Sequence, residues 1–452
     1  MLENIDRIHF IGIGGVGVNA LAKYALDCGL RVSGSDAKIN SLCKELMDRG
    51  AAISEGEDGS CVDGADLVVY SSAIKWDNAE LARARVLNIP TLERQQLLHE
   101  VASGFHTVVG IAGTHGKTTT TAMLSHILAS SKRNFASMIG GESVDYGNYV
   151  NNCGGDKDIF VVEACEYKRN FLTLNPTVAV VTNVECDHPD CYADISDVRA
   201  AFDEYLSGAA IKIYAEGDEL DGYKVYVKTK SENAKYSQNA GSSLNTEYLL
   251  KTDGNQHVLF KDGKYVDDIV LGEGGDYNFK NAMFAVASAG VLGIDTKCAL
   301  DALRSFRGVK RRFELGGYVD GVPVYFDFAH HPTEIGCVLD RASEYGKILA
   351  VFQPHTYSRT QAYFDDFVKV FGAHKSIGTL VLMPTYAARE NPSAGCDADE
   401  LFRAIVKRYG KMDTHLANSA QETLTLLKDF AAAHDIVLFI GAGDIYDIKS
   451  LL

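Results

Sequence analysis

Gly113-Thr114-His115-Gly116-Lys117-Thr118-Thr119 concentrates phosphate chemistry in seven residues. Backbone N–H groups of such a loop can cradle phosphate oxygens. Lys117 can reach the terminal phosphates, and a Thr118 or Thr119 hydroxyl can ligate Mg²⁺. The strict GxxxxGK[ST] spacing is missed, because it would need glycine where Ile111 stands, between Gly110 and Gly113. A second glycine cluster, Gly12, Gly14, Gly15 and Gly17, lies near the start of the chain, with Asp36 downstream. Glycines at a strand-to-helix turn let a diphosphate approach the backbone, and an acid closing the next strand can bond a ribose. NAD carries a diphosphate, and so does a UDP-sugar. A dehydrogenase explains only the first cluster and a simple ATPase only the second. An enzyme that spends ATP on a nucleotide-linked substrate explains both.

These residues need strands and helices to position them. Apolar runs of strand length, DLVVYSSA (66–73), DIFVVEA (158–164), TVAVVTN (177–183), KILAVFQ (347–353), TLVLMP (379–384) and DIVLFIGAG (435–443), alternate with helix-length segments. That pattern predicts an α/β protein with parallel sheets covered on both faces. Residues 211–270 differ: KVYVKTK, TEYLLKTD and QHVLFKDGKYVDDIVLG alternate and turn at Asp-Gly, which predicts a small antiparallel patch of hairpins. Glu163 closes the strand IFVVE beside the phosphate loop, where a carboxylate suits Mg²⁺. His355 and Arg359 follow the strand KILAVFQ at a helix start, and a guanidinium there can hold a carboxylate through two hydrogen bonds.

Composition narrows the class. The 452 residues suffice for about three domains. A net charge of −16 argues against general affinity for nucleic acid. No apolar run is long enough to cross a membrane, and no secretory pattern opens the chain. The ten cysteines are scattered without a CxxC pair, which predicts reduced thiols in a cytoplasmic protein. Cys186, His188 and Cys191 do not have a usual zinc spacing.

GTHGKTTTT (113–121) together with GIGGVG (12–17) resembles the Mur ligase family of bacterial cell-wall synthesis. So do SSAI (71–74), VVEACE (161–166), TNVECDH (182–188), NFKNA (278–282), RRFE (311–314), DFAHHPTE (327–334), FQPHTYSRT (352–360) and GAGDI (441–445). The resemblance spans essentially the whole chain. It implies three domains, set here at 1–104, 105–308 and 309–452: a Rossmann-like domain for the UDP-sugar, a central P-loop-type sheet for ATP, and a Rossmann-like C-terminal domain for an amino acid. The implied activity is ATP-dependent amide formation through an acyl phosphate, with L-alanine joined to the lactyl carboxylate of UDP-N-acetylmuramate. ATP and Mg²⁺ are the implied cofactors. Gly12, Gly14, Gly15, Gly17, Asp36, Ser71 and Ser72 then serve the UDP-sugar. Gly113 to Thr119, Asn278, Asn281, Arg312 and Asp327 serve ATP. Thr118, Glu163 and His188 hold metal, and Lys117, Glu163, His188 and Arg312 are catalytic. His355 and Arg359 bind the amino acid.

Five departures stand out, at three places. Cys165, Tyr167 and Lys168 replace Asp, Ser and Asp of the family's EADESD run, while Glu163 and Glu166 remain. Tyr277 stands where the family usually has histidine, and Thr356 where an arginine commonly follows the histidine. Lys168 and Arg169 could supply anion contacts of their own. The rival readings are the recycling ligase that attaches a whole tripeptide, an NAD-dependent dehydrogenase, and a catalytically degraded binding module. For the general base, His330, His331 and His355 qualify by residue type.

Overall fold

The structure is a computed structural model that describes residues 5–56, 58–185, 191–215, 223–231, 246–253, 256–271, 276–388, 390–391, 397–410 and 412–452. His188 and Cys186 lie outside the described residues. The described chain divides into two compact units, the first running to Gly308 and the second starting at Val309.

The first unit holds two sheets. One is all parallel: β1 (Arg7–Ile11), β2 (Arg31–Asp36), β3 (Ala52–Glu55), β4 (Leu67–Tyr70) and β5 (Thr91–Glu93), in the order β3-β2-β1-β4-β5. Ile8, Phe10 and Ile11 of the central strand are buried, as a strand covered on both faces requires. Ile11 pairs with both Ser35 and Tyr70. The glycine loop, Asp36 and Ser71 therefore leave the sheet at one edge, the carboxyl edge where ligands of such sheets bind. The chain's single tryptophan, Trp76, stands just beyond, 75% exposed, with the Arg85 guanidinium 3.4 Å from its ring centroid.

The second sheet contains β6 (Thr107–Ala112), β7 (Phe135–Ser143), β8 (Gly147–Asn151), β9 (Ile159–Glu163), β10 (Val178–Val181), β11 (Ile211–Ala215), β12 (Tyr223–Ser231), β13 (Thr246–Asp253), β14 (Gln256–Lys261) and β15 (Lys264–Asp268). Their order is β15-β14-β13-β12-β11-β10-β6-β9-β7-β8. The phosphate-loop strand β6 sits between β10 and β9, all parallel. The hairpin expectation for 211–270 holds only in part. β13, β14 and β15 pair antiparallel, with a turn at Asp262-Gly263. β11, β12 and β13 pair parallel and simply extend the large sheet. Alternation shows which side chains share a face, but strand direction depends on connections that alternation does not encode.

One continuous apolar core links the two sheets, from Ile8 and Phe10 through Tyr24 and Phe105 to Phe160 and Tyr214. Polar contacts reinforce the junction. Lys23 of the helix Val16–Asp27 is buried and donates to Asn148 Oδ1 (2.7 Å). Asn148 Nδ2 in turn donates to the Val16 carbonyl (2.9 Å) and Asn19 Oδ1 (3.1 Å).

In the second unit β16 (Glu314–Val319), β17 (Val322–Asp327), β18 (Ile348–Phe352), β19 (Ile377–Leu382), β20 (Asp413–Leu416) and β21 (Ile436–Ile440) form a sheet in the order β16-β17-β21-β18-β19-β20. Only β16 runs antiparallel. Asp327 and Phe352 both pair with Ile440, so Asp327 and the turn after Phe352 emerge at the same edge.

Candidate active site

The phosphate loop follows from sheet register. Ile111 pairs with Glu163, and Ala112 with Val181. The residues after β6, the end of β9 and the residues after β10 therefore converge. The helix Lys117–Ser130 begins at Gly116, whose φ is +84°. A Cβ there would lie 2.2 Å from Asn281 Oδ1, so the loop needs glycine to bring the buried Asn281 against its backbone. Thr182 and Asn183 brace the other side. Both donate to the His115 carbonyl (2.6 and 2.9 Å), and Asn183 Oδ1 accepts the His115 N–H (2.9 Å). These braces were missed as individual residues in the sequence, although the run TNVECDH contains them.

Lys117 Nζ meets both oxygens of Glu166 (3.0 and 2.9 Å) and donates to the carbonyls of Gly113 (2.5 Å) and Thr114 (3.1 Å). Burial alone would lower its pKa. The charge of Glu166, with Cys165 and Glu163 adding, outweighs this and lifts it above the ordinary lysine range, so Lys117 is a fixed cation. The Cys165 thiol is pushed up to about 11 by burial and then by Glu166, which keeps it protonated at neutral pH. Thr118 Oγ1 donates to Glu163 Oε2 (2.8 Å), and the Gly140 N–H donates to the same oxygen (3.0 Å). A hydroxyl and a carboxylate oxygen beside a phosphate loop are hard donors that fit Mg²⁺.

Other predicted residues prove to be engaged. Asp36 Oδ2 accepts the Gly14 N–H at 2.8 Å, bracing the first glycine loop. Arg169 pairs with Asp197 of the neighbouring helix (2.5 Å). Ser71 lies against Gly12, 3.3 Å from where a Cβ would stand. Asn278 shares the helix Asp276–Val291 with Asn281.

In the second unit, Asp327 is buried and accepts N–H bonds from Phe313 (2.8 Å) and Ala329 (2.8 Å). Burial raises its pKa against the opposing pull of Arg312. The Arg312 guanidinium lies 5.4 Å from the Phe328 ring centroid and 4.0 Å from Glu334. His330 is pushed down to about 3 and His355 to about 4, in both cases first by burial and also by the charge of Arg359. Their rings lie 5.7 Å apart. His330 Nδ1 faces the Phe328 carbonyl at 3.0 Å, which makes it the N–H and leaves Nε2 as the acceptor. His331 instead uses Nδ1 to cap the helix Pro332–Ser343, accepting the Thr333 N–H at 3.3 Å.

Among the described residues no helix is long and apolar enough to cross a membrane. Family profiles described as "Mur ligase family, catalytic domain", "Mur ligase middle domain" and "Mur ligase, glutamate ligase domain" match residues 7–106, 111–289 and 311–443. The UDP-N-acetylmuramate–L-alanine ligase of Clostridium novyi is 36% identical over 99% of this chain and 97% of its own. The protein of the same name from Clostridium acetobutylicum is 37% identical over 98% and 97%. The crystal structure of the Thermotoga maritima UDP-N-acetylmuramate–alanine ligase superposes with a TM-score of 0.79 at 26% identity, covering 98% of this chain and 97% of that one. A murein peptide ligase from Psychrobacter arcticus shares the fold, with a TM-score of 0.71 at 23% identity over 99% and 98%. With three α/β domains in sequence and two glycine loops at sheet edges, the chain belongs to the Mur ligase family.

Proposed function

We propose that the chain is an ATP-dependent ligase that joins L-alanine to the lactyl carboxylate of UDP-N-acetylmuramate, releasing ADP and phosphate for peptidoglycan synthesis in the cytoplasm. The carrying observation is the convergence of Lys117, Thr118, Glu163 and Glu166 at the ends of β6 and β9. Full-length similarity to relatives named for that activity supports it. The domain bounds 1–104, 105–308 and 309–452 are proposed on the same footing.

A carboxylate is a poor electrophile because oxide cannot leave. In the first step a carboxylate oxygen bonds the terminal phosphorus of ATP and ADP departs. In the second, the amine nitrogen bonds the acyl carbon, loses a proton, and phosphate departs. The first step brings two anions together, so fixed positive charge is decisive. Lys117 supplies it, held in place by Glu166 and two carbonyls. Thr118 and Glu163 would hold Mg²⁺, with His188 as a third candidate; when bound, the ion neutralises charge on the phosphates. The glycine loop at 12–17, braced by Asp36, takes the UDP diphosphate, with Ser71 and Ser72 beside it. Asn278, Asn281, Arg312 and Asp327 serve the nucleotide of ATP. Arg359 holds the acceptor's carboxylate beside His355. The neutral imidazoles of His330 and His355 offer a lone pair for the leaving proton, although burial makes both weak bases.

Phosphate release with UDP-N-acetylmuramate and ATP, measured across a panel of amino acids and the cell-wall tripeptide, tests the reading. Highest kcat/KM with L-alanine is expected. Preference for tripeptide would replace it with the recycling activity. Turnover with neither acceptor would overturn both.

A further inference from the structure

Thr356 has φ 64° and ψ 148°, a conformation essentially reserved for glycine and strained for a β-branched residue. Its surroundings hold it there. On one side Thr356 N–H donates to the Tyr386 carbonyl (2.8 Å), and Tyr386 N–H donates to the Pro354 carbonyl (2.8 Å). These bonds tie the turn after β18 to the turn after β19. On the other side the Glu390 carboxylate accepts the N–H groups of Tyr357 (2.7 Å) and Ser358 (2.9 Å), and also the Ser358 hydroxyl. The Thr356 carbonyl accepts the Thr360 hydroxyl (2.7 Å). His355 and Arg359 flank this strained point.

We propose that Glu390 is a positioning residue for the amino-acid subsite. Its carboxylate clamps the turn after β18 against the turn after β19 and keeps Thr356 in its strained conformation. It thereby sets the direction in which His355 and Arg359 meet the carboxylate of a small α-amino acid. The inference rests on the acceptor-binding reading of His355 and Arg359 given above. Both N–H groups converge on Glu390 Oε2 and the Ser358 hydroxyl meets Oε1, so truncation to alanine removes all three bonds. A glutamine keeps its oxygen on the two N–H groups and its N–H₂ beside a hydroxyl that can accept.

The test is steady-state phosphate release by the full chain, varying the amino acid that the panel selects. Glu390→Ala is expected to raise the KM for that amino acid about tenfold, with kcat changed less than about threefold and the KM for ATP unchanged. Adding Thr356→Gly should recover most of the loss, because glycine adopts this backbone without being held. An unchanged amino-acid KM in Glu390→Ala, equal increases in both KM values, or a double variant no better than the single one would each overturn the proposal. Glu390 acting only as general scaffolding gives that last result. Arg359→Lys, measured in parallel, separates the two layers. An unchanged amino-acid KM there overturns the acceptor reading itself. A raised KM there beside a silent Glu390→Ala overturns only the clamp.

Discussion

Lys117 and Glu166 form a buried pair in which each depends on the other. Removing the ammonium takes away the fixed charge for phosphoryl transfer and leaves the buried Glu166 carboxylate short of compensation. Lys117→Met is therefore expected to lower ADP formation by about a thousandfold. It should also cost about 3 kcal/mol of stability. Adding Glu166→Gln should restore the melting temperature but not the activity; a double variant as unstable as the single one would show that the pair is not coupled in this way. The buried histidines make a second prediction. Their folded values, about 3 for His330 and about 4 for His355, lie below the unfolded value of 6.5. The unfolded chain therefore binds protons first. The stability these groups contribute is complete above the unfolded value and falls as pH drops toward their folded values. Asp327, whose carboxyl is raised by burial, works in the opposite sense. In urea titrations His355→Gln should flatten the pH dependence of stability below about pH 6.5 by up to about 1.4 kcal/mol per pH unit. An unchanged slope would contradict a neutral buried His355.

The elements explain why some of this was legible in sequence and some was not. A phosphate loop announces itself because its residue types and its position between strand and helix are local. Glu163 was legible because strand ends in a parallel sheet share an edge. Partners that arrive from distant segments leave no local mark. Glu166 was noted in sequence only as a residue retained beside the departures at 165–168, with nothing to pair it to Lys117. Asp36 was read through the ribose it could bind, whereas its carboxylate also braces Gly14. Thr182, Asn183 and Glu390 act through side-chain bonds to backbone groups, which spacing cannot reveal. The parallel run of β11, β12 and β13 escaped for a similar reason, since alternation is the same in either direction. Gly140 shows how tightly one element constrains another. A Cβ there would lie 2.0 Å from Glu163 Oε2, the oxygen that also meets Thr118. Gly140→Ala should thus displace the carboxylate, lower kcat by about a hundredfold and shift the Mg²⁺ activation curve to higher concentration. Magnesium titration of phosphate release reads both effects, and an unchanged curve would remove Glu163 from the metal assignment.

At the scale of the molecule, the first two sheets share one core and one unit. Asn148 is central to their junction, fully buried and bonded to Lys23, Val16 and Asn19. Asn148→Ala leaves those buried groups short of partners and should cost about 2 kcal/mol. Calorimetry should show a lower melting temperature, and limited proteolysis should cut faster near residues 103–106. A variant with neither change would mean that the apolar core alone fixes the junction. The same architecture gives the protein a built-in optical address. Its single tryptophan stands in the first domain, on the loop just after Ser71 and Ser72, exposed and stacked under Arg85. Selectively excited indole emission from the unlabelled chain therefore originates from that domain alone. A UDP-sugar titration followed by this emission would register binding there, while events in the C-terminal sheet would need a tryptophan introduced by design.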